Sequence, residues 1–103
     1  MQKIKVIPII SESGNIVKNH YIIETEEGSY LQSYEDIIAF RPSSPNEFVV
    51  LDSDNWDCST TTRKWLEVFL GESHNVTREK LLGYPAIYLD ANLNKNNDIE
   101  QQK

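Results

Sequence analysis

The chain has little cysteine and no long apolar run. Its 103 residues include one cysteine, Cys58, so no disulfide can form within the chain. Secreted domains of this size usually depend on several disulfides, and we therefore expect a reducing, intracellular compartment. The longest apolar runs have four or five residues, whereas a membrane-spanning helix needs about 20. We expect neither a membrane span nor a signal peptide.

Motifs that hold phosphates, metals or cofactors are also missing. The four glycines are isolated from one another, which excludes a glycine-rich phosphate loop, and the sequence has no paired cysteines. The acidic segment 52–57 (DSDNWD) does not fit a calcium-binding EF-hand loop, because Trp56, Asp57 and Arg63 occupy positions that require an oxygen ligand, glycine and glutamate. Aspartates in such a loop are typical of turns and helix caps. We expect no bound metal or cofactor.

Cys58 offers the remaining enzymatic hypothesis. It precedes a predicted helix, whose positive N-terminal end favours a reactive thiolate, and His20 and His74 are the candidate bases. One cysteine and two distant histidines occur by chance in most chains of this length, so we favour a small buried thiol instead. We expect the protein not to be an enzyme. Catalysis by Cys58 or by an aspartate-bound metal ranks third among the functional hypotheses.

Alternating and continuous apolar segments predict a sheet over the first half of the chain. Strands are indicated at 3–10, 16–25, 30–34, 37–40 and 48–51, with turns at 13–15 and 26–28 and a loop at 41–46. Residues 30–40 fit either two strands with a kink at 35–36 or one bulged strand. Pro8 cannot donate a ladder hydrogen bond, so the first strand is expected at an edge or beside a bulge. A last strand is predicted at 86–89.

A helix is predicted from about residue 60 to residue 70. Ser59, Thr60 or Thr61 can cap its N-terminus, and Gly71 suits the left-handed conformation that ends many helices. Spacings of three and four residues place one apolar face on this helix, which consists of Thr62, Trp65, Leu66, Phe69 and Leu70. Residues 77–82 predict a shorter second helix, closed by Gly83.

These elements indicate an α+β fold. We expect a mainly antiparallel, curved sheet of five or six strands packed on the main helix, with the short second helix in addition. One globular domain is predicted over residues 1–91. Residues 92–103 are rich in asparagine and glutamine, and we expect this C-terminal tail to be disordered.

Negative charge is concentrated between residues 24 and 57. This segment has nine acids and one base, a net charge of −8, whereas the rest of the chain has seven acids and nine bases, a net charge of +2, which together give −6. Direct binding of nucleic acid by this segment is disfavoured, because phosphates bind lysine and arginine. One interpretation is a solvated acidic face that aids solubility. The other is a surface that binds a basic partner.

The second interpretation predicts a partner-binding surface. Its residues are acids of this segment together with one aromatic side chain: Glu24, Glu26, Glu27, Glu35, Asp36, Asp52, Asp54, Trp56 and Asp57. Trp56 lies in a polar loop, where it fits a core anchor and an interface hot spot about equally well. Trp65, on the apolar face of the helix, is expected to anchor the core.

A specific motif pattern spans about residues 30–83. Its elements are Ser33-Tyr34, Ile38-Ala39, Val50-Leu51, Trp56-Asp57, Ser59, Thr61-Thr62, Lys64 and Phe69-Leu70-Gly71. In this pattern the chain resembles a small, poorly characterised family of bacteriophage and mobile-element proteins, except that Cys58 stands where the pattern has an aromatic residue. That difference suggests a packing role for Cys58. The family has no assigned activity, so the resemblance implies no catalytic residue.

In size and charge the chain also resembles anti-CRISPR and anti-restriction proteins. This leads to the hypothesis of a non-enzymatic phage or mobile-element protein of the bacterial cytoplasm. It would bind and inhibit a basic, nucleic-acid-handling host protein, such as a CRISPR or restriction nuclease, through an acidic surface that mimics nucleic acid. The alternative is an oligomerising structural or accessory adaptor of a replication or transfer assembly, which leaves room for a homo-oligomer. Neither hypothesis involves a membrane or direct binding of nucleic acid.

Overall fold

The computed structural model describes residues 3–83 and 88–94. Its elements are β1 (Lys5–Ile10), β2 (Ile16–Glu24), β3 (Gly28–Ser33), β4 (Asp36–Pro42), β5 (Val49–Asp52), α1 (Thr60–Leu70), α2 (His74–Leu82) and β6 (Tyr88–Ala91). The fold is α+β, with a curved six-stranded sheet packed on two helices. The predicted fold class is confirmed.

The strands lie side by side in the order in which the chain makes them. The first four pairings are antiparallel, and β5 pairs with β6 in parallel. A parallel pair needs a long crossover, and here the segment containing α1 and α2 supplies it. β1 is an edge strand with a register shift between Pro8 and Ile10, so both features expected from Pro8 are present. Residues 30–40 form two strands, and Tyr34 turns the chain between them with a φ of 57°.

Capping residues determine where the two helices begin and end. The side chain of Ser59 accepts a hydrogen bond from the backbone nitrogen of Thr62 at 3.1 Å, and Gly71 ends α1 with a φ of 71°. The bounds predicted for α1 are therefore confirmed. α2 begins at His74 instead of Thr77, because Ser73 caps it and accepts from the backbone nitrogen of Val76 at 3.3 Å.

The core lies between the sheet and the helices. Its fully buried side chains include Leu31 of β3, Ala39 of β4, Leu51 of β5 and Leu66 of α1. Trp65 belongs to the same core, as predicted. Cys58, in contrast, is exposed, so the expectation of a buried packing thiol is wrong. The irregular segment before α1 places Trp56 in the core and leaves Cys58, beside the cap, in solvent.

The first residues of the predicted tail are attached to the sheet. The side chain of Asn94 accepts a hydrogen bond from the backbone nitrogen of Ile37 at 2.7 Å and donates one to the backbone oxygen of the same residue at 2.9 Å. Residues 95–103, for which disorder was predicted, lie outside the described residues. So do residues 84–87, which include the start of the strand predicted at 86–89. No described helix is both long and apolar enough to cross a bilayer.

Candidate partner-binding surface

Six of the eight acids of the predicted surface lie at two opposite ends of the sheet. Glu24, Glu26 and Glu27 lie at the turn between β2 and β3. The loop after β4 joins this turn, since the backbone nitrogen of Ser43 donates to the oxygen of Glu27 at 2.9 Å, and the same loop carries Glu47. All four carboxylates are exposed. We name this group, Glu24, Glu26, Glu27 and Glu47, the Glu26 end.

The second acidic group lies at the opposite end of the strands. Glu35 and Asp36 lie at the turn between β3 and β4, and Asp54 follows β5, which runs antiparallel to β4 toward that turn. All three are exposed, and we name them the Asp36 end. The six residues of β3 separate the two ends, which places them roughly 20–25 Å apart at about 3.3 Å per residue. The acidic residues therefore do not form one continuous face.

Two residues of the predicted surface lie in the interior instead. Asp52 is 1% exposed. One of its carboxylate oxygens accepts from the backbone nitrogen of Leu93 at 2.7 Å, and the other accepts from the side chain of Asn55 at 2.7 Å. Trp56 is 8% exposed and stacks on the ring of His74, with 4.9 Å between ring centroids. Both residues hold the segment before α1 in place, and assigning them to the partner-binding surface is wrong.

Asp57 is engaged by three cationic or polar groups of the helices. Its carboxylate lies 2.7 Å from Nε of Arg63, 2.8 Å from Nε2 of His74 and 3.1 Å from an amino group of Arg78. Burial raises the pKa of the Asp57 carboxyl, but hydrogen bonds from Arg78 and His74 and the charge of Arg63 together hold that pKa below its ordinary 3.8. The charge of Asp57 is thus used inside the protein to join α1 to α2.

Glu72 forms a second internal cluster that the sequence did not reveal. Its carboxylate accepts hydrogen bonds from Lys80 at 2.6 Å, from the hydroxyl of Thr77 at 2.7 Å and from the hydroxyl of Tyr88 at 2.8 Å. Burial raises the pKa of Glu72, yet these hydrogen bonds bring it below its ordinary 4.5. The cluster ties the residue before the cap of α2, and the middle and last turn of this helix, to β6.

His20 and Ser33 have the geometry of a serine nucleophile and its base, but they are enclosed. The carbonyl oxygen of Lys18 can only accept, so Nδ1 of His20 donates to it at 2.8 Å. Nε2 lies 3.0 Å from the Ser33 hydroxyl, from which it accepts when the imidazole is neutral. His20 is 2% exposed, and the hydroxyl of Thr62 lies 3.4 Å from that of Ser33. Ser33 is only 5% exposed, so both side chains are buried, and the pair acts as a polar link between β2, β3 and α1.

The face of the sheet opposite the helices is apolar, and no described element covers it. On this face each strand contributes one side chain to a single row that crosses the whole sheet. The residues of this row, in order, are Val6, Ile23, Tyr30, Phe40, Val50 and Leu89. They alternate with the side chains that face the helices, such as Leu31, Ala39 and Leu51. We name this surface the open face.

The ends of the row are its most exposed part. Val6 is 59% exposed and Leu89 is 44% exposed, whereas the aromatic side chains between them shield one another. Tyr30 and Phe40 pack together with 4.6 Å between ring centroids. The period of two in the strands predicts that such a face exists, but it does not show which face the helices leave uncovered.

A groove runs along one end of the open face. It has a volume of about 360 Å³ and is lined by Phe40, Asn46, Glu47, Phe48, Val50 and Leu89. Its floor is apolar, and Glu47 places a carboxylate of the Glu26 end on its rim. The groove therefore connects the apolar row to one of the two acidic ends. Among residues 3–83 and 88–94, no three His, Cys, Asp or Glu side chains are grouped closely enough to hold a metal ion.

Comparison with known proteins identifies one family. Residues 4–82 match the model of a family of unknown function, DUF8033. A search of the curated proteins gave no match, and a search of the solved structures gave none.

Proposed function

We propose that this chain, which belongs to the DUF8033 family of unknown function, is a non-enzymatic protein that binds a basic partner protein through its two acidic ends. One observation carries the proposal. The seven exposed carboxylates of the Glu26 and Asp36 ends form no ion pair with any described residue, whereas the four ion pairs of the described chain all use Asp57 or Glu72. The unpaired carboxylates are available to a partner.

Charge that is unpaired and exposed acts over distance. Carboxylates at two ends of one sheet create a negative potential that attracts basic surfaces and speeds their encounter, most strongly at low salt. Proteins that handle nucleic acid carry rows of lysine and arginine along the path of the phosphates. Such a path can contact both ends of this sheet together, because the ends lie roughly 20–25 Å apart.

The specific form of the proposal is an inhibitor of a host defence nuclease. The chain would be encoded by a phage or mobile element, and it would occupy the nucleic-acid-binding groove of a CRISPR or restriction nuclease in the bacterial cytoplasm. Its support is the regional charge together with the resemblance of residues 30–83 to phage and mobile-element proteins. Binding competes with nucleic acid in this mechanism and requires no chemical step.

A matched pair of variants tests the role of the acidic ends. In the test variant, Glu26→Gln and Asp36→Asn remove one charge from each end. In the control variant, Glu12→Gln and Glu79→Gln remove two exposed charges elsewhere. Binding to a panel of purified CRISPR and restriction nucleases is measured by calorimetry, and inhibition is measured by DNA cleavage.

We expect the test variant to bind at least tenfold more weakly than the unchanged chain, and the control variant to stay within twofold. Raising the salt concentration from 50 to 300 mM should weaken binding of the unchanged chain more than that of the test variant. No binding to any nuclease of the panel would overturn the specific form. An equal loss of binding affinity in the test and control variants would show that the two acidic ends have no specific role in binding.

The exposed edge of the sheet favours the adaptor as a second candidate. β1 is an edge strand, and Ile4, Val6 and Ile10 beside its free edge are all more than half exposed. Edge strands can pair with an edge of another chain. A stable large homo-oligomer in light scattering would support this candidate, and a monomer over the range of 1 to 200 µM would reject it.

A further inference from the structure

An apolar row that crosses six strands in water is costly to leave uncovered. Removing contiguous apolar surface from water lowers the free energy of the system, and large exposed patches on folded proteins commonly mark binding sites. In this molecule the patch is ordered, because the ladder register aligns one apolar side chain from each strand. The aromatic pair Tyr30 and Phe40 lies at its centre.

The two acidic ends border this row along its length. Ile23 and Tyr30 flank the turn that carries Glu26 and Glu27, and β3 and β4 lead from the row to Asp36 at their other end. Several basic side chains are held on the helix side instead: Arg41 by the carbonyl of Phe69, Arg63 and Arg78 by Asp57, Lys64 over Trp65, and Lys80 by Glu72. The open face is thus an apolar strip between two groups of unpaired carboxylates.

We propose that the open face is the docking surface for a protein segment in which basic and apolar side chains alternate. This inference deepens the proposed function and rests on it, because it says where on the chain the basic partner sits. Apolar side chains of the segment pack on Tyr30, Phe40 and Val50. Its lysine or arginine side chains reach the carboxylates of the two ends.

The groove gives this docking its most specific contact. A lysine or arginine side chain has an apolar stem and a charged head. The stem fits the apolar floor made by Phe40, Phe48, Val50 and Leu89, while Glu47 on the rim receives the head. A purely apolar side chain would fill the same floor but leave Glu47 without a counter-charge.

Charge also decides against a second copy of this chain as the occupant. A symmetric dimer built on two open faces stacks the sheets either with like ends together or with opposite ends together. Both ends are acidic, so each arrangement brings carboxylates against carboxylates. Like charges placed face to face disfavour association by several kcal/mol. A partner with basic groups has no such cost.

A peptide titration of the full-length, ¹⁵N-labelled chain tests the inference. Three eight-residue peptides serve as probes in 150 mM salt: alternating Lys and Leu, alternating Glu and Leu, and alternating Lys and Ser. We expect the Lys–Leu peptide to shift the amide signals of β4, β5 and β6 near the groove. The Glu–Leu and Lys–Ser peptides should bind at least tenfold more weakly, because each lacks one half of the required chemistry.

Two surface variants locate the site. Leu89→Lys and Phe48→Ser change exposed groove residues, and each should weaken binding of the Lys–Leu peptide at least fivefold. Val68→Lys is the matched control, since Val68 is an exposed apolar residue of α1, and it should change binding less than twofold. Amide shifts confined to α1 and α2, or an equal effect of Val68→Lys, would overturn the inference.

Three further outcomes separate this inference from its rivals. A dimer in light scattering that Leu89→Lys dissociates would show a second copy on the open face. Contacts from Ile99 to Tyr30 in the free chain would show that its own last residues occupy the surface. If the acidic test variant loses nuclease binding while Leu89→Lys and Phe48→Ser keep it, the open-face inference fails and the proposed function stands.

Discussion

The two sides of this sheet use charge and apolar surface in opposite ways. On the helix side, Asp57 and Glu72 are each surrounded by hydrogen-bond donors, and the apolar side chains are buried. On the other side an uncovered apolar row, most exposed at Val6 and Leu89, lies between carboxylates that form no ion pair with any described residue. The difference indicates that the helix side provides stability, and the open side is the one that we propose for binding.

The largest difference in stability is expected between two leucine-to-alanine variants. Leu31→Ala removes a fully buried side chain beneath the helices, and it should lower the free energy of unfolding by about 3 kcal/mol. Leu89→Ala on the open face should lower it by less than about 1 kcal/mol. Urea unfolding followed by fluorescence of the buried Trp56 and Trp65 measures both. Equal losses would contradict the division into a covered and an open face.

A smaller difference in stability is expected between variants of two glutamates in or next to α2. Glu72→Gln removes the charge that binds Lys80 while keeping a similar shape, and it should lower the free energy of unfolding by about 1–2 kcal/mol. Glu79→Gln changes an exposed residue of the same helix and should leave unfolding unchanged. The same urea experiment compares them. A neutral effect of Glu72→Gln would show that the Glu72 cluster does not stabilise the fold.

The smallest effect in this series concerns pH. The folded-state pKa values of Asp57 and Glu72 lie below their ordinary 3.8 and 4.5, so the unfolded chain binds more protons than the folded chain as the pH falls through this range. The stabilisation from both groups is therefore complete above about pH 5 and is lost on acidification through the lowered pKa values. The urea concentration at the midpoint of unfolding should decrease as the pH is lowered from 7 to 2.5.

The control for this pH effect is the double variant Asp57→Asn and Glu72→Gln. It removes both titrating groups, so its urea midpoint should depend less on pH than that of the unchanged chain. An identical pH dependence in the two proteins would assign acid unfolding to other carboxylates.

Local signals in the sequence predicted much of the architecture correctly. Ser59 and Gly71 bound α1 because capping depends on backbone groups within one turn of the helix. Pro8 indicated an edge strand because its missing donor is a property of the residue itself. The helix face built on Trp65 and Leu66 followed from spacing alone. α2 begins three residues before its predicted start because Ser73 caps it.

The candidate site was predicted less well. The acidic segment was recognised from its composition, but Asp52 proved buried, Asp57 proved paired, and Trp56 proved part of the core. These outcomes depend on residues distant in the chain. Asp57 meets Arg78 and Asp52 meets Leu93 only after the helices have packed on the sheet.

The unusual concentration of acid between residues 24 and 57, the strands, and the main helix were all readable from local composition and period. Folding in three dimensions decided which of those acids are free. The strand register carries one group to each end of the sheet, the helices pair Asp57, and the segments around Asn55 and Leu93 bury Asp52. Folding also decided which face of the sheet is open. Alternation places side chains on two faces equally, and only the packing of α1 and α2 distinguishes them.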